Sequence, residues 1–443
     1  MTLRTEALST AKDIATKVWL RPRHLLLAAA VFHLVVTLGC YGVGRYQALP
    51  GTFDRNGISF PNDSDGPEVR EETRRLSETL VRGQIRDWLI AASPFHIKLY
   101  SICFALLGPL FGATILSAEP LNALCYLAIL VLIFKLGQET FNRRAGLIAA
   151  VTVGLWPSFL LHTTQLLKDP LFLVGMLGFI LVNLRLLSRS FSWAKALVTG
   201  TGGGVIAVFI WIVRDNMGGL LIATVALGGA MLIVRQFREK HFQVANLVGM
   251  ALLIVISVGV TRVVPKSSRA GVFEWPETSS PNPLTRIAAQ VGNARQRFVN
   301  AYPNSGSNID SNVQLRSMGD LVHYLPRAAA IGFCAPFPNM WVATGRHVGS
   351  GARLLSGLET MAMLVVQGLA LVAFWRERRR FSVWWLGLVA AMGMISLSLV
   401  VVNVGALYRL RYVFSILVII LAAQGAAQTL DCCKKKRLAP SGS

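Results

Sequence analysis

Charge is scarce in this chain, at 15% of 443 residues. A soluble domain carries about 25%, so a water-filled exterior on all sides is excluded. Acidic residues are the scarcest, 22 against 44 Lys and Arg, leaving a net charge of +22. In a soluble protein that balance would point to nucleic acid. Here no nucleic-acid motif or aromatic-basic platform appears. Much of the excess sits in short clusters beside apolar runs, RQFREK, RERRR and KKKR. Such clusters orient membrane proteins and touch anionic lipid, so membrane lipids are the expected partner and nucleic acid is not.

Other absences narrow the field. The six cysteines show no metal-ligand spacing. Cys40, Cys103 and Cys125 fall in apolar segments as small packing residues, and Cys432-Cys433 read as juxtamembrane thiols. No short alternating segments mark a β-barrel. No internal repeat supports an inverted-repeat transporter. The first apolar run begins near His24 without a small-residue cleavage site, which predicts a retained helix.

What is present is hydrocarbon, with 53% hydrophobic residues and a mean hydropathy of +0.52. The expected fold is an all-α polytopic membrane protein. Ten segments come near or reach the roughly 18–20 residues that cross a bilayer. They are 24–44, 119–137, 145–163, 170–188, 194–213, 219–236, 243–264, 354–375, 382–402 and 412–430. Starting from Lys17, Arg21 and Arg23 inside, alternation places FNRR, RLLSRSFSWAK, RQFREK, RERRR and CCKKKR all on the cytoplasmic side. Both termini are then cytoplasmic. Two apolar stretches broken by Pro and Gly, IKLYSICFALLGPLFGATIL and PRAAAIGFCAPFPNMW, would invert three clusters if the first of them, or both, spanned. They are expected as outer juxtamembrane or re-entrant helices.

The chain therefore divides into an N-terminal transmembrane module, 1–264, with a first outer loop 45–118. A large outer segment follows over 265–353, then C-terminal spans and a basic tail over 354–443. Within the first loop, Val69, Leu76, Leu80 and Leu89 share a face among arginines and predict an amphipathic surface helix. PLTRIAAQVGNARQRFVNAY predicts another in the large segment.

Three charged groupings collect at the outer end. FPNDSDGPE carries Asp63, Asp65 and Glu68 in turn-forming company. TTQLLKDPLF places Lys168-Asp169 in a very short loop between two spans. NVGALYRLRY places Arg409 and Arg411 before the last span, against the positive-inside trend. Singly, these read as a solvated turn, a helix cap ahead of Pro170 and headgroup-seeking arginines. Together they suit transfer chemistry at a lipid phosphate. A carboxylate takes a proton from an acceptor hydroxyl, and arginine holds a phosphate leaving group.

Several pieces in order resemble the GT-C superfamily of polytopic glycosyltransferases, in its family-39-like branch related to protein mannosyltransferases and aminoarabinose transferases. They are NDSDG after the first span, SPFHIKLYSICFALLGPLFG, LGQETFNRRAGLIAAVTVGLWPSFLLHTTQLLKDPLF, YLPRAAAIGFCAPFPNMW and NVGALYRLRY. The resemblance implies an inverting transfer of a sugar from a polyprenyl-phosphate donor to a hydroxyl of a glycan, lipid or protein, at the outer face of the inner membrane. Asp63 or Asp65 would be the base. Asp169 would match a second acidic site that positions acceptor or a divalent metal. Lys168, Arg409 and Arg411 would hold the donor phosphate. The family's tyrosine after the first acid has no counterpart in PEVREETRRLSETL. A polysaccharide polymerase or O-antigen-type ligase, or a lipid or glycan transporter, are the alternative functions.

Overall fold

The computed structural model describes residues 22–49, 52–59, 65–240, 242–263, 283–301, 303, 306–342 and 350–438. Among these, the chain is helical; β-structure is confined to two isolated bridges, Phe53 with Ser59 and Asn308 with Asn403. Among the described residues, nine helices are long and apolar enough to cross a membrane, or ten counting one bent pair. This is a multi-pass membrane protein.

Seven helices lie between Pro22 and Thr163. They are α1 (Pro22–Arg45), α2 (Asp65–Val81), α3 (Ile85–Ile90), α4 (Phe95–Phe111), α5 (Ile115–Thr140), α6 (Arg143–Gly154) and α7 (Pro157–Thr163). Then come α8 (Asp169–Ser188), α9 (Trp193–Val213), α10 (Gly218–Glu239) and α11 (Val244–Val263). The rest comprises α12 (Pro283–Ala301), α13 (Met318–Cys334), α14 (Ser350–Arg376), α15 (Phe381–Val400), α16 (Val404–Leu410) and α17 (Tyr412–Leu438).

The expected spans coincide with α1, α5, α8, α9, α10, α11, α14, α15 and α17, and the expected span 145–163 is the bent pair α6–α7. Its halves meet at 70°, where Pro157 cannot donate its missing N–H to the preceding turn. The two Pro/Gly-broken stretches lie on α4 and α13, each of 17 residues and each with an internal proline. The amphipathic surface helix of the first loop is two helices, α2 and α3. Gly83 divides them at φ +74, a left-handed conformation that glycine adopts without a Cβ clash.

Bilayer helices gain little from apolar burial against one another, so close backbone approach matters more. A Cβ added at Gly200 of α9 would stand 2.3 Å from the Gly249 carbonyl of α11. One at Gly425 of α17 would stand 2.1 Å from the Leu369 carbonyl of α14. The most buried helices are α8 and α17, with 78% of each apolar window inside the bundle.

The basic clusters meet at one end. Glu139 takes Arg189 at 2.5 Å and Arg185 at 3.3 Å. Arg144 pairs with Asp431 at 3.0 Å, Arg380 with Glu377 at 3.0 Å, and Arg238 lies over the Phe381 ring. The opposite end gathers the starts of α5, α8 and α17 and the ends of α9 and α15. There Arg295, 2% exposed, donates to the carbonyls of Asp310 and Leu399. Asp310 takes Arg327 and the Tyr324 hydroxyl, both at 2.9 Å. These contacts fasten the large loop segment to the bundle.

Candidate active site

At that second end, the short segment 164–168 turns the chain from α7 into α8. Lys168 is the residue preceding α8, and Asp169-Pro170 open it, proline needing no acceptor in a first turn. The Asp169 carboxylate does not cap the helix. It is 6% exposed and accepts from Arg214 Nη2 at 2.7 Å. Arg214 stands at the end of α9, itself 7% exposed, with its guanidinium over the Phe172 ring at 5.3 Å. Lys168, Arg409 and His162 are all close enough to act on the Asp169 charge. His96 of α4 faces Lys168, Asp169 and Arg214. Burial, then the two cations, drive its pKa down to about 3, so it is neutral.

A second cluster forms where α6–α7 breaks. The break frees backbone donors at the start of α7. Glu359, from inside α14, fills that need by accepting from Ser158 N at 2.7 Å. Its other oxygen takes the Tyr408 hydroxyl of α16. Tyr412 donates to Ser158 Oγ at 2.8 Å. His162 Nδ1 lies 2.6 Å from the Ser158 carbonyl; a carbonyl only accepts, so Nδ1 carries the proton and Nε2 is the basic nitrogen. Arg411, 5% exposed, donates to the neutral Gly332 carbonyl at 3.0 Å and lies over the Tyr408 ring. Beside it opens a small recess, partly open to the surroundings. Arg411, Glu359 and Tyr408 give its polar wall; Val153, Met363, Ile416 and Ile419 give its apolar one.

The first loop reaches the same end. Ser59 N donates to Gln165 Oε1 at 2.9 Å, four residues before Asp169. Asp65 opens α2, and its neighbour Gly66 is packed so closely on Ile58 that a Cβ would stand 2.8 Å from that side chain. Asp63 lies outside the described residues. Asp54 is spent locally, accepting from the backbone of Asn56 and Ile58 at 2.8 Å.

Of the residues expected from sequence, Lys168, Asp169 and Arg409 come together, and Arg411 stands at the neighbouring recess. Sequence reasoning missed Arg214, His96, His162 and Glu359. Arg214 had a signal, an arginine at the end of a span away from the basic clusters. Glu359 had another, a carboxylate inside an apolar run. It also missed a buried network within the bundle. There His33, 0% exposed, meets Glu119 at 2.8 Å and Thr163 at 3.2 Å.

No protein-family model and no curated protein matches the sequence. Solved structures do. The crystal structure of an oligosaccharyltransferase from Archaeoglobus fulgidus in its apo form aligns over 95% of this chain at a TM-score of 0.52 and 13% identity. The chain has the GT-C fold. It spans about half of that oligosaccharyltransferase, 52% of its length. The structure of ArnT from Cupriavidus metallidurans bound to undecaprenyl phosphate aligns over 93% of this chain and 81% of its own length, with a TM-score of 0.36 and 14% identity. The resemblance read from the sequence implies an acceptor- or metal-positioning role for Asp169. Among the described residues no group of three or more His, Cys, Asp or Glu could hold a metal ion, and Arg214 already occupies Asp169.

Proposed function

We propose that this GT-C-fold protein is an inverting glycosyltransferase using a polyprenyl-phosphate sugar. The single observation that carries the assignment is Arg411. It is a buried cation hydrogen-bonded to a neutral carbonyl, at the polar wall of an apolar recess, in a membrane protein of this fold. A guanidinium so placed suits a lipid phosphate, and the apolar wall suits the first isoprene units. Burial lowers the Arg411 pKa, yet arginine stays protonated.

In the proposed step, a first-loop carboxylate, Asp65 or Asp63, takes the proton of an acceptor hydroxyl on a glycan, lipid or protein. The hydroxyl oxygen attacks the anomeric carbon, and the bond to the phosphate oxygen breaks. Polyprenyl phosphate leaves against Arg411, with Arg409 and Lys168 adding positive charge at the same end. Asp169, held by Arg214, orders the floor of the site rather than taking the proton. The positive-inside rule puts the basic end in the cytoplasm and this site on the outer, periplasmic face. The test is a transfer assay with the purified full chain, undecaprenyl-phosphate sugars and cell-envelope acceptors. Sugar-dependent release of undecaprenyl phosphate is expected. A folded protein that consumes none of the donors would overturn the assignment.

A further inference from the structure

Among the nine spans of the described residues, α1 is the least buried. Only 17% of its apolar window lies inside the bundle, against 33% for α14 and 78% for α8 and α17. Its exposed side chains, such as Leu27, Val31, Val35 and Leu38, suit lipid. Its buried residues, His33, Thr37, Cys40 and Gly44, form one narrow stripe at helical spacing. Packing alone therefore gives α1 little register, and polar bonds supply it. The Thr163 hydroxyl donates to the Leu160 carbonyl at 2.9 Å, so across 3.2 Å His33 Nε2 is the donor to Thr163. One proton lies between His33 Nδ1 and Glu119 Oε1 at 2.8 Å, and the bond stands whichever atom carries it. Thr37 donates to the other Glu119 oxygen at 2.8 Å. The His33 ring packs on Tyr126 with centroids 4.6 Å apart, and the Tyr126 hydroxyl donates to the Gly154 carbonyl at the end of α6. His33 thus ties α1 to α5 and to α7, where no water competes for the bonds.

The tie reaches the first loop from both sides. α1 runs directly into that loop, and a Cβ at Gly44 would stand 2.2 Å from the Asp54 carbonyl. Gln165, two residues past Thr163, holds the loop further on. Ser59 N donates to its Oε1 at 2.9 Å, and its Nε2 donates to the Gly57 carbonyl at 3.4 Å. Phe53 and Ile58 of the loop share a buried cluster with Cys40 of α1 and with Leu166. The segment 163–166 therefore clamps the loop where it leaves α1 and where it turns toward Asp63 and Asp65. We propose that His33, Glu119 and Thr163 are positioning residues for the transfer step. They set the register of α1, and through it the place of the first-loop carboxylate. Arg411 is fastened elsewhere, to the Gly332 carbonyl and over Tyr408, so the tie acts on transfer and not on lipid binding. That the step is sugar transfer rests on the glycosyltransferase reading, whereas the tie rests on the geometry.

The test uses the full chain in nanodiscs, with melting to check that each variant folds. Thr163→Val removes the oxygen that His33 reaches with little change of shape, and Thr163→Ser keeps it. Backbone hydrogen exchange over residues 52–59 should rise in the Val variant and match wild type in the Ser variant, with exchange over 318–334 unchanged in both. With an undecaprenyl-phosphate sugar, kcat should fall about 10- to 100-fold in the Val variant, and Ser should retain most of the rate. Affinity for undecaprenyl phosphate should stay within about twofold in both. His33→Phe keeps a ring against Tyr126 and gives up both bonds. It should slow transfer at least as much, and adding Thr163→Val should slow it no further, because the two residues act through one contact. A folded Val variant with wild-type exchange or wild-type kcat overturns the proposal. So does a fall in kcat matched by an equal loss of lipid affinity, or losses that add in the double variant. A wild-type protein that turns over no donor counts instead against the function assigned above, and the exchange measurement then decides the tie alone.

Discussion

Asp169 and Arg214 show how residue-scale chemistry depends on its partner. Both are buried and paired at 2.7 Å, so removing one charge strands the other. Asp169→Asn should cost about 3–5 kcal/mol of stability, read as a lower melting temperature alongside lost activity. Asp169→Leu with Arg214→Met should recover much of the melting temperature without recovering activity. A single Asn variant that melts like wild type would show that the pair is not buried as described. Arg411 behaves differently, since its partner is neutral. Arg411→Ala should weaken undecaprenyl phosphate by about 1.5–3 kcal/mol, roughly 10- to 150-fold, and Lys should restore only part. Unchanged affinity would remove Arg411 from the donor site. The sequence displayed Asp169 because Lys168-Asp169 interrupts two apolar runs. It hid Arg214, 45 positions away, because helix packing rather than periodicity brings them together.

At the scale of elements, the break between α6 and α7 matters most. Pro157 opens its second half, but the sequence 145–163 reads as one straight span. The carboxylate that stabilises the break, Glu359, comes from 201 positions away, and no local pattern names it. Glu359→Gln retains an acceptor for Ser158 N and should melt close to wild type. Glu359→Leu leaves that N–H unsatisfied, and should lose about 1–3 kcal/mol and disturb donor binding through Tyr408. Equal melting of the two variants would deny Glu359 its capping role. The loop segment 306–334 has its own acid sensitivity. Hydrogen bonds from Arg327, with Tyr324, hold the Asp310 pKa below its ordinary value. The contribution is complete above the unfolded pKa near ~3.9 and is lost as pH falls through the lower folded value. Protease resistance of this segment should therefore drop on acidification below about pH 4 in wild type, and be weak at all pH values in Asp310→Asn.

For the whole molecule, hydropathy and lysine-arginine bias carried the architecture, because the bilayer fixes span length and charge sets direction. All five basic clusters were expected at one end. FNRR, RLLSRSFSWAK and RERRR, with the end of α17, are tied together there by Glu139, Asp431 and Glu377. Reporters fused after Arg144, Arg189, Lys240 and Arg380 should report cytoplasm, and fusions within 45–118 and 265–353 the outer compartment. An outer signal at Arg144 would split the site from its proposed face. What the pattern could not show was the site itself, which is assembled from side chains on many separate helices and the short segment before α8. Its most direct test is the initial rate of undecaprenyl phosphate release from an undecaprenyl-phosphate sugar by wild type, Asp63→Asn and Asp65→Asn. Wild type should turn over, and one of the two variants should lose about 100-fold or more while still binding donor and melting normally. Wild-type rates in both variants would contradict catalysis by a first-loop carboxylate and, with it, the mechanism assigned to this site.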